Sequence, residues 1–457
     1  MNDNKMTPLE RKATWGLGTV FSLRMLGMFM VLPVLTTYGL QLQHATESLI
    51  GLAIGIYGLT QAVFQIPFGI FSDKFGRKPM IVFGLIIFIV GSLIAALSDN
   101  IYGIIIGRAL QGAGAISAAV MALLSDLTRE QNRTKAMAFI GISFGITFAL
   151  ALVLGPVLTH IFGLHGLFWG IALLAFGGIL ITLFTVPNSE HHILNRESGF
   201  VRGSVKKVLF DPQLLKLNTG IFSLHTLLMA AFVALPLVMN SAGLAKEKHW
   251  IVYLVTMLIA FITVLPFIIY AEKKRKMKQV FLFCIFLLII AQVILISSDS
   301  SLWLIIAGIQ VFFIGFNIME ALLPSLISKE APAGYKGTAM GIYSTSQFLG
   351  VALGGILGGW LYQHYDAQIV FLGCLVIGII WFLISLTLRQ PAYVSSLRIE
   401  LPSNLSLGQQ QKLQQIFKQQ PGVNEVVIIA DEQSAYIKVD TKQTPRATLE
   451  SLISSIE

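Results

Sequence analysis

Charge is scarce in this sequence. Of 457 residues only 12% are Asp, Glu, Lys or Arg, while 55% are hydrophobic. Soluble domains carry about 25% charged residues. This chain therefore cannot cover a water-facing surface, and its excess apolar area must face lipid. Cysteine is nearly absent. Cys284 and Cys374 each sit inside an apolar run, form no CxxC pair and show no metal-ligand spacing, so they read as small apolar fillers. There is no phosphate-binding GxxxxGK(S/T) loop, no His/Cys cluster and no nucleophile elbow. Those absences exclude an ATP-driven pump within the chain, and they argue against an enzyme, a cofactor and a nucleotide partner.

What remains is long apolar runs separated by short basic loops. A membrane-crossing helix needs about 20 mostly apolar residues. Twelve spans are expected at 15–38, 48–71, 80–97, 101–125, 135–160, 164–186, 214–239, 250–271, 279–297, 301–327, 337–362 and 367–388. The first follows a polar, basic start and ends in no A-x-A cleavage site, so it is expected to be retained. The net charge of +9 does not point to nucleic acid, because residues from Tyr393 onward are nearly neutral, with six Lys/Arg and seven Asp/Glu. The positive excess lies between spans. Loops on one side carry twenty Lys/Arg, and those on the other carry two, Lys246 and Lys248. Positive loops stay in the cytoplasm, so both termini are expected there.

The spans repeat. Pro67-Phe68 through Asp73-Lys74 and Arg77 match Pro266-Phe267 through Glu272-Lys273 and Lys276, 199 residues further on. Ala136-Met137 and Gly155 match Ala339-Met340 and Gly358 at an offset of 203. These echoes place the second span on the eighth and the fifth on the eleventh. Such a duplication gives two parallel halves of six helices, a plan in which substrate binds between the halves.

The loop after the second span reads Gly69-x-x-x-Asp73-Lys74-x-Gly76-Arg77-Lys78, and the fourth span carries Arg108-x-x-Gln111-Gly112-x-Gly114-Ala115. Both resemble signature motifs of the major facilitator superfamily. Gly141, Gly145 and Gly155-Pro156 on the fifth span are similar to the antiporter motif of its drug/proton branch. That motif continues with two glycines, whereas Val157 to His160 follow here, so a symporter or uniporter stays open beside an antiporter. The resemblance implies an all-α transporter of the bacterial inner membrane that works by alternating access, and the leading expectation is proton-driven efflux of a small molecule.

Physical reasoning assigns roles to the motif residues. Gly76 permits a tight turn, and Pro79 suits the start of the next helix. Arg77 can pair with a carboxylate, and Asp126, ending the fourth span, lies on the same side. Asp73, Arg77 and Asp126 are expected to form a latch that holds one access state, the alternative being an ordinary topogenic loop. Gly141, Gly145 and Gly155 are expected to let another helix approach closely, and Pro156 to kink the span. Gly350, Gly354, Gly355, Gly358 and Gly359 mirror them on the eleventh span.

Charges inside spans are expensive and default to function. Arg24, Arg108 and Glu320 stand out. Glu320 is the one acid well inside a span, and carrying it uncharged is far cheaper than carrying it ionised, so it is the candidate proton site. The alternative is a structural ion pair with Arg24 or Arg108. His225 titrates in a suitable range but also reads as an ordinary polar group between helices.

After Arg389 the apolar runs stop. Leu397 to Leu401 alternates like a strand, Ser406 to Gln409 resembles a capping box, and Leu413, Ile416 and Phe417 form a helical stripe. Strands are expected over 423–430 and 435–440, then a helix burying Leu449, Leu452, Ile453 and Ile456. This βαββα order suggests a small ferredoxin-like domain. It is similar to heavy-metal-associated domains but lacks their cysteines, so no comparable metal site is expected. Regulation or dimerisation is its expected role, the alternatives being a passive cytoplasmic appendage or, for the chain as a whole, a membrane sensor that signals through this domain. The organisation expected overall is 1–186 and 214–390 as the two halves, 187–213 as linker, and 391–457 as the soluble domain. The expected partners are a small-molecule substrate, protons and the lipid bilayer.

Overall fold

A computed structural model describes residues 5–188, 201, 203, 205–402 and 405–453. About half of the expected linker lies outside these residues, as does Ile456. The first half holds α1 (Pro8–Met30), α2 (Leu32–Tyr38), α3 (Glu47–Phe75), α4 (Arg77–Ala96), α5 (Ile101–Ala113), α6 (Ser117–Asp126) and α7 (Glu130–Phe184). After a short α8 (Val205–Leu209), the second half holds α9 (Pro212–Ser241), α10 (His249–Lys273), α11 (Met277–Ile296), α12 (Leu302–Glu330), α13 (Lys336–His364) and α14 (Ala367–Leu386).

Among the described residues, eleven helical runs are long and apolar enough to cross a membrane. One of them, Lys135–Phe184, is twice the necessary length and turns at Gly163, whose φ of +73° a residue with a Cβ rarely adopts. It therefore makes two passes, and the total is twelve. Helical dihedrals continue through Pro156, so the break falls at Gly163 and not at the proline.

Two spans differ from expectation. The first helix starts at Pro8, because Thr7 and Glu10 form a capping box, and Glu10 is 2% exposed, bonded to Arg129 and Asn132. The stretch read as a polar tail is already helix. The fourth span is two helices, α5 and α6, separated at Gly114, which abuts the backbone of Gly84 and accepts a hydrogen bond from Arg24. A continuous helix would have that carbonyl engaged within itself.

The halves meet chiefly along α3 and α13. A Cβ at Gly55 would sit 2.6 Å from the Ala352 carbonyl, and one at Gly58 would sit 2.6 Å from that of Phe348. Only glycines permit this separation. Gly355 and Gly359 face α3, whereas Gly350, Gly354 and Gly358 face α9, so α13 presents one glycine face to each half. Further along the same seam, Gln65 donates to Gly341 O and to Thr345 Oγ1, at 3.2 and 2.9 Å.

The C-terminal unit is β1 (Ser395–Glu400), α15 (Leu407–Lys418), β2 (Val423–Ile429), β3 (Ser434–Val439) and α16 (Arg446–Ile453). Its antiparallel sheet has the order β1-β3-β2, with Ile437 opposite both Leu397 and Val426. Ile399, Leu413, Phe417, Val426, Ile437 and Leu449 form a core separate from that of the membrane part. Ser406 and Gln409 cap α15 reciprocally.

Candidate functional site

Three clusters gather the residues singled out by sequence. The first is the loop between α3 and α4. Gly76 adopts φ +100°, which closes the turn, and Arg77 then folds back under α3. Its guanidinium pairs with Asp73, donates to Ser72 Oγ at 2.8 Å, and meets Asp126 Oδ2 at the end of α6 at 3.4 Å. The Asp126 side chain is 3% exposed and that of Asp73 is 42% exposed, so Asp126 is the buried anchor. Gly69 lies against Ala118, and Lys78 donates to Asn188. Ser72 was not foreseen; nothing marks it in sequence except its spacing of five from Arg77.

The second cluster surrounds two arginines in the core of the first half. Arg24 Nη2 donates to Gln61 Oε1 at 2.6 Å, and Nε donates to Gly114 O at 3.2 Å. Arg108 donates to Ala53 O and to Gln111 Oε1, which in turn donates from its amide to Ser92. Both guanidiniums lie over the ring of Tyr57, at 5.7 and 4.7 Å from its centroid. They are 0% and 1% exposed. Neither has a carboxylate partner among the described residues, and Arg24 Nη1, Gln61 Nε2 and Tyr57 Oη have no hydrogen-bond partner there.

The third cluster bears on the alternative of a structural ion pair. Glu320 pairs with neither Arg24 nor Arg108. Those side chains point into the first-half core, while α12 and α9 bring Glu320 to His225 within the second half, Oε1 to Nε2 3.4 Å. The same imidazole nitrogen lies 2.9 Å from the amide nitrogen of Gln347 on α13. With that amide donating, Nε2 accepts, and the proton of a neutral ring sits on Nδ1. Phe316 flanks the imidazole at a centroid distance of 5.8 Å. Gln347 was missed because a glutamine in an apolar run carries no signal of its partner.

The glycines of the fifth span divide. Gly155 lies directly against the backbone of Met30, as expected of a close approach. Gly141 and Gly145 do not behave so. A Cβ at Gly141 would meet nothing within 4 Å, and one at Gly145 would make an ordinary 3.6 Å contact with Phe261. Gly141 lies on an exposed face of α7.

Residues 17–355 match the Major Facilitator Superfamily, and residues 397–455 match the YajR YAM domain. The inner membrane transport protein YajR of Escherichia coli (strain K12) is 64% identical over 99% of both chains. The multidrug resistance protein MdtH of Aeromonas salmonicida is 24% identical, covering 79% of this chain and 90% of its own. In structure, the nucleoside transporter NupG aligns with a TM-score of 0.66 at 15% identity, covering 82% of this chain and 99% of NupG, and so shares the fold. By its helical plan, its signature loop and these matches, the chain belongs to the major facilitator superfamily and is a membrane transporter.

Proposed function

We propose that this transporter moves a small molecule out of the cell by alternating access, driven by protons, with both termini in the cytoplasm of a bacterial inner membrane. The observation that carries the proton reading is the chain Glu320–His225–Gln347, which links α12, α9 and α13. A proton arriving on Nε2 would remove the acceptor used by the Gln347 amide. The amide must then turn its oxygen toward the ring, and Nε2–H can be shared with Glu320. Gln347 adjoins Phe348, whose carbonyl lies on the α3–α13 seam. Protonation in the second half is thereby linked to the contact between halves.

The loop of Asp73, Arg77 and Asp126 acts in this reading as a latch that stabilises one access state. Residues 1–186 and 214–390 are the two moving units. The chain's 64% identity to an inner-membrane transport protein and its basic loops support the location and the orientation. The departure from the antiporter pattern at Val157 to His160 favours a second reading, proton symport. Flux in proteoliposomes under an imposed proton gradient tests both. Counter-directed proton and substrate movement supports efflux, and co-directed movement supports symport.

A further inference from the structure

The two halves treat their equivalent loops differently. The 199-residue offset places Gly76 on Arg275, Asp73 on Glu272 and Arg77 on Lys276, and the 203-residue offset places Asp126 on Lys329. In the first half the base is on the loop and the acid ends α6. In the second half the charges are exchanged: Glu272, in the last turn of α10, meets Lys329, near the end of α12, at 3.5 Å. Arg275 is left without a carboxylate from its own half. Its partner is Asp440 of the C-terminal domain, at 2.7 Å.

The backbone at Arg275 is also informative. It holds φ +54°, positive like the φ +100° of Gly76 at the equivalent place, where there is no Cβ to strain. An arginine in such a turn needs compensation from its surroundings. Here the side chain reaches Asp440 and lies 5.3 Å from the ring centre of Tyr393, whose hydroxyl accepts from Met277 N at 3.1 Å. Two more contacts tie the domain to the α12 end. Lys438 donates to Lys329 O, and Glu425 accepts from Ala333 N at 3.0 Å. All of these contacts fall on one surface, made of the α10–α11 loop and the segment after α12.

We propose that this surface is a docking site for the chain's own C-terminal domain, which supplies through Asp440 the carboxylate that the first half takes from Asp126, and which clamps the second half in the present access state. The domain is thereby a regulatory part of the transporter, and its release frees the loop to relax. This rests on the alternating-access reading, but docking itself can be measured without any transport.

The test uses the full chain in nanodiscs and hydrogen exchange of residues 271–277 and 330–334. Arg275→Gly removes the guanidinium while suiting the turn, and Asp440→Asn removes the carboxylate charge. Each is expected to raise exchange in both segments about tenfold. The exchanged pair, Arg275→Asp with Asp440→Arg, is expected to restore protection to within about twofold of the parent. A second readout is the distance between spin labels at Lys12 and Gln279, on opposite halves, which should shift toward the other access state in the single variants. Unchanged exchange in the single variants, or no recovery in the exchanged pair, overturns the docking. Raised exchange with an unchanged distance distribution overturns the clamp. If the parent shows no second access state under any condition, the alternating-access reading itself is at fault.

Discussion

Glu320 on α12 lies 3.4 Å from His225 on α9, and both belong to the second half of the transporter. The acid deep in the membrane therefore has a titratable neighbour of its own. In this conformation it pairs with no arginine from the opposite half.

Gln347 should be a coupling residue. Replacing it with leucine keeps the volume of the α13 face but removes the amide that reads the imidazole. Gln347→Leu is expected to insert and to retain the α3–α13 seam, while proton movement per substrate falls at least about tenfold. Parallel measurement of proton and substrate flux in proteoliposomes checks this, since a purely structural role would lower both fluxes together.

Asp126 should matter more to stability than Asp73, because its side chain is buried and that of Asp73 is 42% exposed. Removing Asp126 leaves the buried Arg77 with Asp73 and Ser72. The expected cost of Asp126→Ala is about 1–3 kcal/mol, against less than about 1 kcal/mol for Asp73→Ala. Thermal unfolding in one detergent ranks the two variants.

The α3–α13 seam predicts a steric wedge. A Cβ at Gly355 would lie 2.6 Å from the backbone nitrogen of Gly55, so a backbone has to move. Gly355→Val should separate the two helices and populate the opposite access state, while Gly373→Val on α14, with 3.4 Å of clearance to Leu361, should not. Spin-label distances between the halves distinguish these outcomes.

Docking of the C-terminal domain has a defined pH response. The Arg275 guanidinium, with help from Lys442, holds the Asp440 carboxyl below its ordinary value of 3.8. A lowered value in the docked state means that the pair contributes fully above that ordinary value and is lost as pH falls through the lowered one. Docking should therefore be flat from about pH 5 to about pH 8 and weaken only in strong acid. Salt should weaken it at neutral pH, because the Arg275 side chain is 49% exposed. Distances between labels at Lys12 and Lys412, followed against pH and salt, test both responses.

Much of the membrane architecture was legible, because lipid forces long apolar runs and positive loops that no other constraint produces. The small domain was legible for a related reason: Leu397 to Leu401 and the Ser406–Gln409 cap carry local periodicity and local hydrogen bonding. What could not be read was partner choice. Glu320 could be singled out by its depth, yet its neighbour His225 lies 95 residues away, and only helix packing brings them together. The helical start at Pro8 was written in Thr7 and Glu10 but hidden by their polarity, since the burial of Glu10 depends on Arg129. The Arg275–Asp440 contact joins two units that each fold around their own core, so neither sequence segment announces it.

The central claim is that protonation at the Glu320–His225 pair switches the access state. Its most direct test is pulsed electron spin resonance between labels at Lys12 and Gln279 in lipid nanodiscs, with Cys284 and Cys374 replaced by alanine. The parent should exchange one distance population for another between about pH 5.5 and about pH 8.5. Glu320→Gln, which removes the carboxylate that shares the Nε2 proton, should abolish the exchange and leave one population at both values. A Gln variant that shifts with pH as the parent does would contradict the account and place the proton site elsewhere.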